Sequence, residues 1–499
     1  MSNLSELLPA GAGGKNVSFV ASGTLPNGKP VILKADGTVE VVGVSSIAES
    51  IPAGSEAVIN TASTYYISVA FEPNTIGKFV VVYRDNGNSG YGTAIVGTVS
   101  GTTISFGSEV VFNAGNTYYT SVAFDPNTAN KFVVAYRDRS NSDYGTAIVG
   151  TVSGTSLSFG TEVVFNSGHT DFSSIAFDTN TTNKFVVAYP DVGNSSYGTA
   201  IVGTVSGTSL SFGSEVVFDS APIGIPEVAF DPNTANKFVV TYTDGGNSSY
   251  GTAIIGTVSG TSFSFGSEVV FNAGTTYDSL VAFDPNTANK FVVVYRDDSN
   301  SSYGTAIVGT VSGTTTSFGS EYVFSSARAD GASIAFDSNT ANKFVVTYRD
   351  LGNSLYGTAI VGTVSGTSIT FGSSSVFNAG STILYSPVAF DPNTAGKFVV
   401  AYLDGGNSSY GTAIVGQIAS TATNLTSTNF IGISDEAISS GATGKATIKG
   451  GIKTGLSSLT PNAIYYVQGD GTITTASASP AVRIGKALSS TSINLEYNS

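Results

Sequence analysis

The chain has 499 residues, 41% hydrophobic and 11% charged, with 59 Gly, no Cys, no Trp and one His. That is ample material for a folded core and leaves no place for disulfides, thiol chemistry or Cys-based metal sites. A formal net charge of -14 argues against a phosphate-binding surface, since nucleic-acid affinity rests on Lys and Arg displacing counterions.

Residues 1–16 contain no basic stretch followed by an apolar core, and no apolar run reaches membrane-spanning length. The expectation is a chain made in a cytosol that leaves a cell by lysis. Asn16 to Gly43, NVSFVASGTLPNGKPVILKADGTVEVVG, then reads as strands separated by NG and DG turns. Ile51 to Asn60, IPAGSEAVIN, resembles ISFGSEVVFN at Ile104 to Asn113, exactly one repeat further on.

From there a single sentence recurs. The Phe of its AF dipeptide stands at Phe71, Phe124, Phe177, Phe230, Phe283, Phe336 and Phe390, a spacing of 53 with one of 54. Each copy divides into four strand-like runs, in the second copy SVAF, KFVVAY, TAIVGTV and SLSFGTEVVF. The KFVVAY run is nearly unbroken in apolar character, as expected of a strand covered on both faces. The length of the period points to propeller blades. The last copy departs from the pattern after Gly416 and lacks its fourth run, whereas Ile51 to Asn60 is a fourth run without a blade. The two halves predict an all-β, seven-bladed β-propeller over residues 51–419, its last blade completed by an N-terminal strand that removes the open edges. Residues 1–50 and 420–499, the latter also strand-and-turn text, are expected to pair as one small barrel-like β-domain holding the propeller as an insertion.

The repeat varies unevenly. The turn from first to second strand stays near DPNTANK and the turn from third to fourth stays VSGT. The segment joining consecutive blades changes chemistry from copy to copy, and so does the residue before the Asp that ends the second strand: Arg84, Arg137, Pro190, Thr243, Arg296, Arg349 and Leu403. In a propeller both variable loops lie on one face. That face carries Tyr65, Tyr66, Tyr118, Tyr119, Phe172, Tyr277 and Tyr385 among Arg84, Arg137, Arg139, Arg296 and Arg349, the residue types that dominate binding hot spots. A ligand-binding surface and drift in weakly constrained loops both fit this pattern.

The recurring Asp85, Asp138, Asp191, Asp244, Asp297, Asp350 and Asp404 are read as caps of turn amides, because each loop supplies one carboxylate and calcium needs more. The Asp of DPNT is read as a turn former, Lys131, Lys184 and Lys237 as solvated strand ends, and the arginines as pairing with nearby acids. His169 has no evident partner in the sequence. No cofactor or metal is expected. Sialidase-like propellers gather unique acids and bases at the ring centre, whereas these acids repeat in register, so no enzyme is expected.

The opening MSNLSELLPAGAGGKNVSFVASGTLPNGKPVILKADGTVEVV, the DGGNSSYGTAIVGTVSGTSLSFGSEVVF repeats and the closing GLSSLTPNAIYYVQGDGTITT resemble virion structural and tail-fibre-like proteins of tailed phages, especially those of marine cyanobacteria. GKPVILKADGTV and IGKALSSTSINL resemble small head-decoration modules. The resemblance implies a virion location, other virion proteins as partners, and a propeller displayed for attachment to a host-surface glycan or protein; a homo-oligomer in the particle is compatible with it. Two rival readings stand beside it: a capsid-decoration or tail component that binds no receptor, and a glycan-cleaving enzyme.

Overall fold

The structure, a computed structural model, describes residues 16–43, 51, 54–383, 385–418, 424–469, 471–477 and 481–496. Residues 1–15 and 52–53, which belong to the opening and to the closing segment, lie outside them. The chain divides into two compact units, one of Met1–Ala48 with Ser420–Ser499 and one of Glu49–Ala419. Among the described residues every regular element is a β-strand or a short 3-10 turn.

In the larger unit each repeat forms an antiparallel sheet. Lys78–Asp85 pairs on one side with the end of Ala57–Phe71 and on the other with Tyr91–Ser100. Tyr91–Ser100 in turn pairs with Thr103–Phe106 and with the start of Val110–Phe124. The fourth run predicted as one strand is therefore two, broken at Gly107–Ser108–Glu109. The chain then continues into the next sheet, where Thr117–Phe124 pairs with Lys131–Asp138.

The second strand is buried on both faces because two neighbours cover it. Phe79, Val81 and Tyr83 pack with Val399, Ala401 and Val415 of the last repeat, whereas Val80 and Val82 pack with Phe124, Val134 and Tyr136 of the second. The period of two in a strand thus becomes a division of labour between two interfaces. Phe79 is wholly buried and its ring lies where a Cβ on Gly97 would come within 2.1 Å, so the glycine of TAIVG clears a place for the aromatic. Burial of such a side chain contributes roughly 1.5–3 kcal/mol.

The sheets return on themselves. Tyr410–Gln417, the third strand of the last repeat, pairs with Ala57–Phe71 in the register Tyr410↔Ser63, Gly411↔Asn60, Thr412↔Val58 and Ala413↔Ala57. The N-terminal segment is thus the outer strand of the last sheet, as its sequence offset predicts. It also supplies a side chain that the last repeat lacks. Tyr83 Oη donates to Glu109 Oε1 at 2.6 Å and Tyr136 Oη to Glu162 Oε1 at 2.6 Å, and Tyr402 Oη donates to Glu56 Oε1 at 2.8 Å.

The recurring turn, DPNT in four copies and EPNT, DTNT or DSNT in the others, does more than reverse the chain. Glu72, Asp125, Asp178, Asp231, Asp284, Asp337 and Asp391 are all fully buried. Asp178 accepts from the amide of Asn180 at 2.9 Å within its own turn and from the amide of Asn236 at 3.0 Å in the next repeat. Asp391 does the same across the closure, accepting from Gly77 N at 3.1 Å, and Asn393 Nδ2 donates to Pro73 O at 3.1 Å. The lysines at the strand starts, expected to be solvated ends, are tethered as well: Lys131 Nζ donates to Thr151 Oγ1 at 2.7 Å and Lys290 Nζ to Gly366 O at 2.8 Å.

The terminal unit joins both ends of the chain in one sheet. Pro30–Leu33 pairs with Val39–Val41 and with Phe430–Ser434, and Asn16–Val20 pairs with Thr443–Ile448. A second sheet combines Ile452–Lys453, Ile464–Gln468, Ile473–Thr474, Ala481–Ser489 and Ser492–Leu495. Ile32, Phe430 and Ile433 of the first share a core with Val467, Ile484 and Ile493 of the second. Lys453 is buried and donates from Nζ to Ser434 O at 2.7 Å, with Asp435 Oδ1 at 3.2 Å holding its charge.

Asp178→Ala leaves two turn amides without their acceptor, one of them in the neighbouring sheet. It is expected to lower unfolding stability by about 1–3 kcal/mol in chemical denaturation. A loss no larger than that of the exposed Asp36→Ala would show that the carboxylate does not couple repeats.

Candidate functional site

The inner strands of the repeats surround one cavity of about 290 Å³. At its mouth four of the inner strands carry a β-bulge near their start, and in the other three the strand is interrupted there. In the first repeat the register shifts between Tyr65 and Ser68, and equivalent shifts occur between Tyr118 and Ser121, Tyr277 and Leu280, and Asp330 and Ser333. The extra residues turn their side chains out of the ladder. At the crest stand Tyr66, Tyr119, Phe172, Asp278, Gly331 and Tyr385, every one with positive φ, between 42° and 69°. Left-handed backbone under bulky aromatic side chains is costly and persists only where the surrounding ladder fixes it. The crest is thus a rigid platform.

The side chains predicted from sequence meet around this mouth in two groups. Tyr65, Tyr66, Tyr118, Tyr119 and Phe172 form one aromatic chain, with ring centroids 6.4 Å apart for Tyr65–Tyr66, 5.2 Å for Tyr66–Tyr118, 4.8 Å for Tyr66–Tyr119 and 4.1 Å for Tyr119–Phe172. Tyr118 lies among three guanidinium groups, with Arg84 at 4.3 Å, Arg137 at 4.5 Å and Arg139 at 5.6 Å from its ring centre. Arg139 Nη1 also donates to Tyr118 Oη at 2.9 Å. Desolvation opposes ionisation of Tyr118, but that hydrogen bond and the surrounding positive charge outweigh it and hold the phenol below the usual tyrosine value. Burial pushes Tyr119 up to about 12.

The second group is ionic. Asp330 accepts from Arg296 Nη1 at 2.7 Å, Arg328 Nε at 2.9 Å and Arg349 Nη2 at 2.8 Å. Burial works against its charge, yet the three guanidinium groups keep its carboxyl below the usual range. Arg296 also binds Asp298 at 2.8 Å and lies 4.7 Å from the centre of the Tyr277 ring. Tyr385 Oη donates to Asp278 Oδ1 at 3.3 Å. Desolvation raises Asp278 despite Arg296 nearby.

Three of the arginines expected to pair with acids do so, Arg296 and Arg349 with Asp330 and Arg137 with Asp171, with Asp143 at 3.3 Å; Arg84 instead lies over the Tyr118 ring. His169 sits between them, its Nε2 3.1 Å from Arg137 Nη1 and 3.3 Å from Asp171 Oδ1. Arg137, Arg296 and Arg349 are largely buried beneath the loops, whereas Tyr65, Tyr277 and Tyr385 are exposed. The aromatics can touch a ligand directly and these three arginines mainly set their positions. The caps read from the sequence are also present, Asp85 Oδ1 accepting from Gly87 N at 2.8 Å and Asn88 N at 3.3 Å.

One acid inside the cavity was not singled out by the sequence. Ser68, Ser121, Ser174 and Ser333 each accept, through Oγ, from a backbone amide of the next repeat at 3.2–3.3 Å. Glu227 stands at the position that Ser68 holds in the first repeat. Its half-buried surface faces the cavity rather than bulk solvent, and the enclosing wall pushes its carboxyl up to about 7.

No known protein family matches the sequence, and no curated protein does. Among solved structures, the chain is similar to the BP39L lectin from Burkholderia pseudomallei, at 10% identity and TM-score 0.53, over 73% of this chain and 98% of the lectin. It is also similar to Sqt1 from Chaetomium thermophilum, at 12% identity and TM-score 0.45 over 72% of this chain and 83% of that one. Sqt1 of Saccharomyces cerevisiae follows at 10% and 0.45, over 73% and 98%. The larger unit is a β-propeller built from sequence repeats.

Because the folded-state value of Glu227 lies above the ordinary carboxylate value of about 4.3, its contribution to stability is present below that pH and is lost as pH rises through about 7. Wild-type melting temperature is expected to fall more between pH 5 and pH 8 than that of Glu227→Gln. Parallel pH profiles for the two proteins would show that Glu227 is not desolvated.

Proposed function

We propose that the chain is a virion protein of a tailed phage, whose terminal unit attaches it to the particle and whose seven-bladed propeller binds a host-surface molecule at the cavity mouth. The observation that carries this reading is the concentration of change on one rim. Turns at the opposite ends of the strands repeat almost word for word because each buries a carboxylate that accepts from its own turn amide, whereas the rim replaces Tyr with Asp or Gly, and Arg with Pro, Thr or Leu, at fixed positions. Mere drift would leave loops unlike one another but without a shared contact surface. Here the varied positions converge on one cavity mouth with an aromatic chain and a charged cluster held by a rigid crest.

The resemblance of the flanking segments to phage particle proteins supports the virion setting. The chemistry of the rim favours recognition over catalysis: Arg296 and Arg349 are occupied by Asp330, and Arg137 by Asp171, so these groups position aromatics rather than present a free acid or base. The other virion components are the partners of the terminal unit; the host-surface ligand is the partner of the propeller.

The full chain is expected to bind saturably to intact cyanobacterial cells from a host panel. The double variant Tyr65→Ala/Tyr118→Ala, with an unchanged melting temperature, is expected to bind at least about 30-fold more weakly, the loss of a hot spot of about 2 kcal/mol. Absence of saturable binding across the panel by folded protein would overturn the attachment reading and leave a purely structural virion component. Release of soluble sugar from host polysaccharide would instead establish the enzyme.

A further inference from the structure

The repeat provides its own control for what fills each place on the rim. Tyr118 has two guanidinium groups over its ring, that of Arg84 from the preceding repeat and that of Arg137 from its own. Tyr277 is the same position three repeats later, and Arg296 covers it as Arg137 covers Tyr118. The counterpart of Arg84, however, is Thr243, whose short side chain turns away and donates from Oγ1 to Thr276 O at 2.9 Å. Beside it Gly224 occupies the place that Tyr65 holds in the first repeat.

The consequence is a hollow of about 300 Å³ where other repeats hold a Tyr–Arg pair. Its walls include Thr243, Gly224, Phe172 and Tyr277, with the carboxyl-bearing Asp171 and Asp278, and no Lys or Arg lines it. Tyr277 is 43% exposed, whereas Tyr118 is half-buried under its two guanidinium groups. An aromatic face with one cation already behind it and two carboxylates in the adjoining wall favours a planar cation that can stack and hydrogen-bond at once.

We propose that this hollow receives the guanidinium group of an arginine on a partner polypeptide. The incoming side chain stacks on the open face of Tyr277 as Arg84 stacks on Tyr118, and its N–H groups donate to Asp171 and Asp278. The intramolecular contact is thereby completed in trans, and the chain's formal net charge of -14 favours the approach of a cationic partner. The proposal rests on the reading of the rim as a recognition surface and names the chemistry recognised at one place on it.

The test is saturation-transfer difference NMR on the full chain with N-acetyl-arginine amide and, separately, its uncharged isostere N-acetyl-citrulline amide. Signal is expected at the arginine δ-methylene, with the citrulline signal at least about 5-fold weaker. Thr243→Arg restores the residue that other repeats carry, fills the hollow from within, and is expected to abolish the arginine signal. Tyr277→Leu, at an exposed position, is expected to weaken it with the hollow still open. Equal signals from the two ligands, or an arginine signal undiminished in both variants, would overturn the proposal. A methyl pyranoside that binds and is displaced by Thr243→Arg would likewise overturn it, assigning the hollow to sugar. If cell binding depends on Tyr65 and Tyr118 while the arginine probe fails, only this inference falls; if cell binding fails and the probe binds as described, the attachment reading falls and the hollow remains.

Discussion

Everything in the larger unit depends on one pairing made between residues more than 300 positions apart. Ala57–Ser63 completes the last sheet against Tyr410–Ala413, and without it that sheet would end in an unpaired edge. Because the sheets are covered on both faces only when each has two neighbours, closure is also what buries the odd-numbered side chains of Lys78–Asp85 against the last repeat. Fixing the outer strand early in the chain and its partner late makes the ring a single cooperative object rather than an extendable stack. The buried carboxylates of Glu72, Asp178, Asp337 and Asp391 act in the same direction, each accepting from an amide of another repeat.

That arrangement divides the molecule into positions that cannot change and positions that can. Asp178 satisfies amides in two repeats, and the Phe ring that lies over the TAIVG glycine leaves no space for another side chain. The bulged crest lines the cavity mouth, where its side chains pack against one another and outside the blade cores. The result is a platform in which Tyr66, Tyr119, Phe172, Asp278, Gly331 and Tyr385 share one backbone conformation and differ in chemistry. Such a platform can alter its surface chemistry without altering how it folds.

Much of this was legible in the residues. The spacing of the AF dipeptide, the unbroken KFVVAY run and the orphaned IPAGSEAVIN segment specify the repeated sheets and their closure, because period and hydrophobic pattern report directly on local pairing. The aromatic and arginine positions of the rim stood out by contrast with the constant turns. What remained hidden depended on contacts between repeats. The second hydrogen bond of Asp178 goes to a backbone amide 58 residues on, which no side-chain pattern marks. Asp278, Asp330 and Glu227 look like ordinary loop acids until the ring brings three arginines to one of them and encloses another. His169 gains Arg137 and Asp171 only in the fold. The hollow beside Thr243 is defined by what a small residue fails to fill.

Backbone hydrogen exchange of the full chain, read by mass spectrometry, tests the closure most directly. If the N-terminal strand locks the ring, amides of Ala57–Ser63 exchange as slowly as those of the equivalent strand at Val110–Asn116 and open together with Lys397–Asp404. Rapid exchange of Ala57–Ser63 while Lys397–Asp404 stays protected would mean that the last sheet stands without it, and the account of a closed, rigid rim would fail.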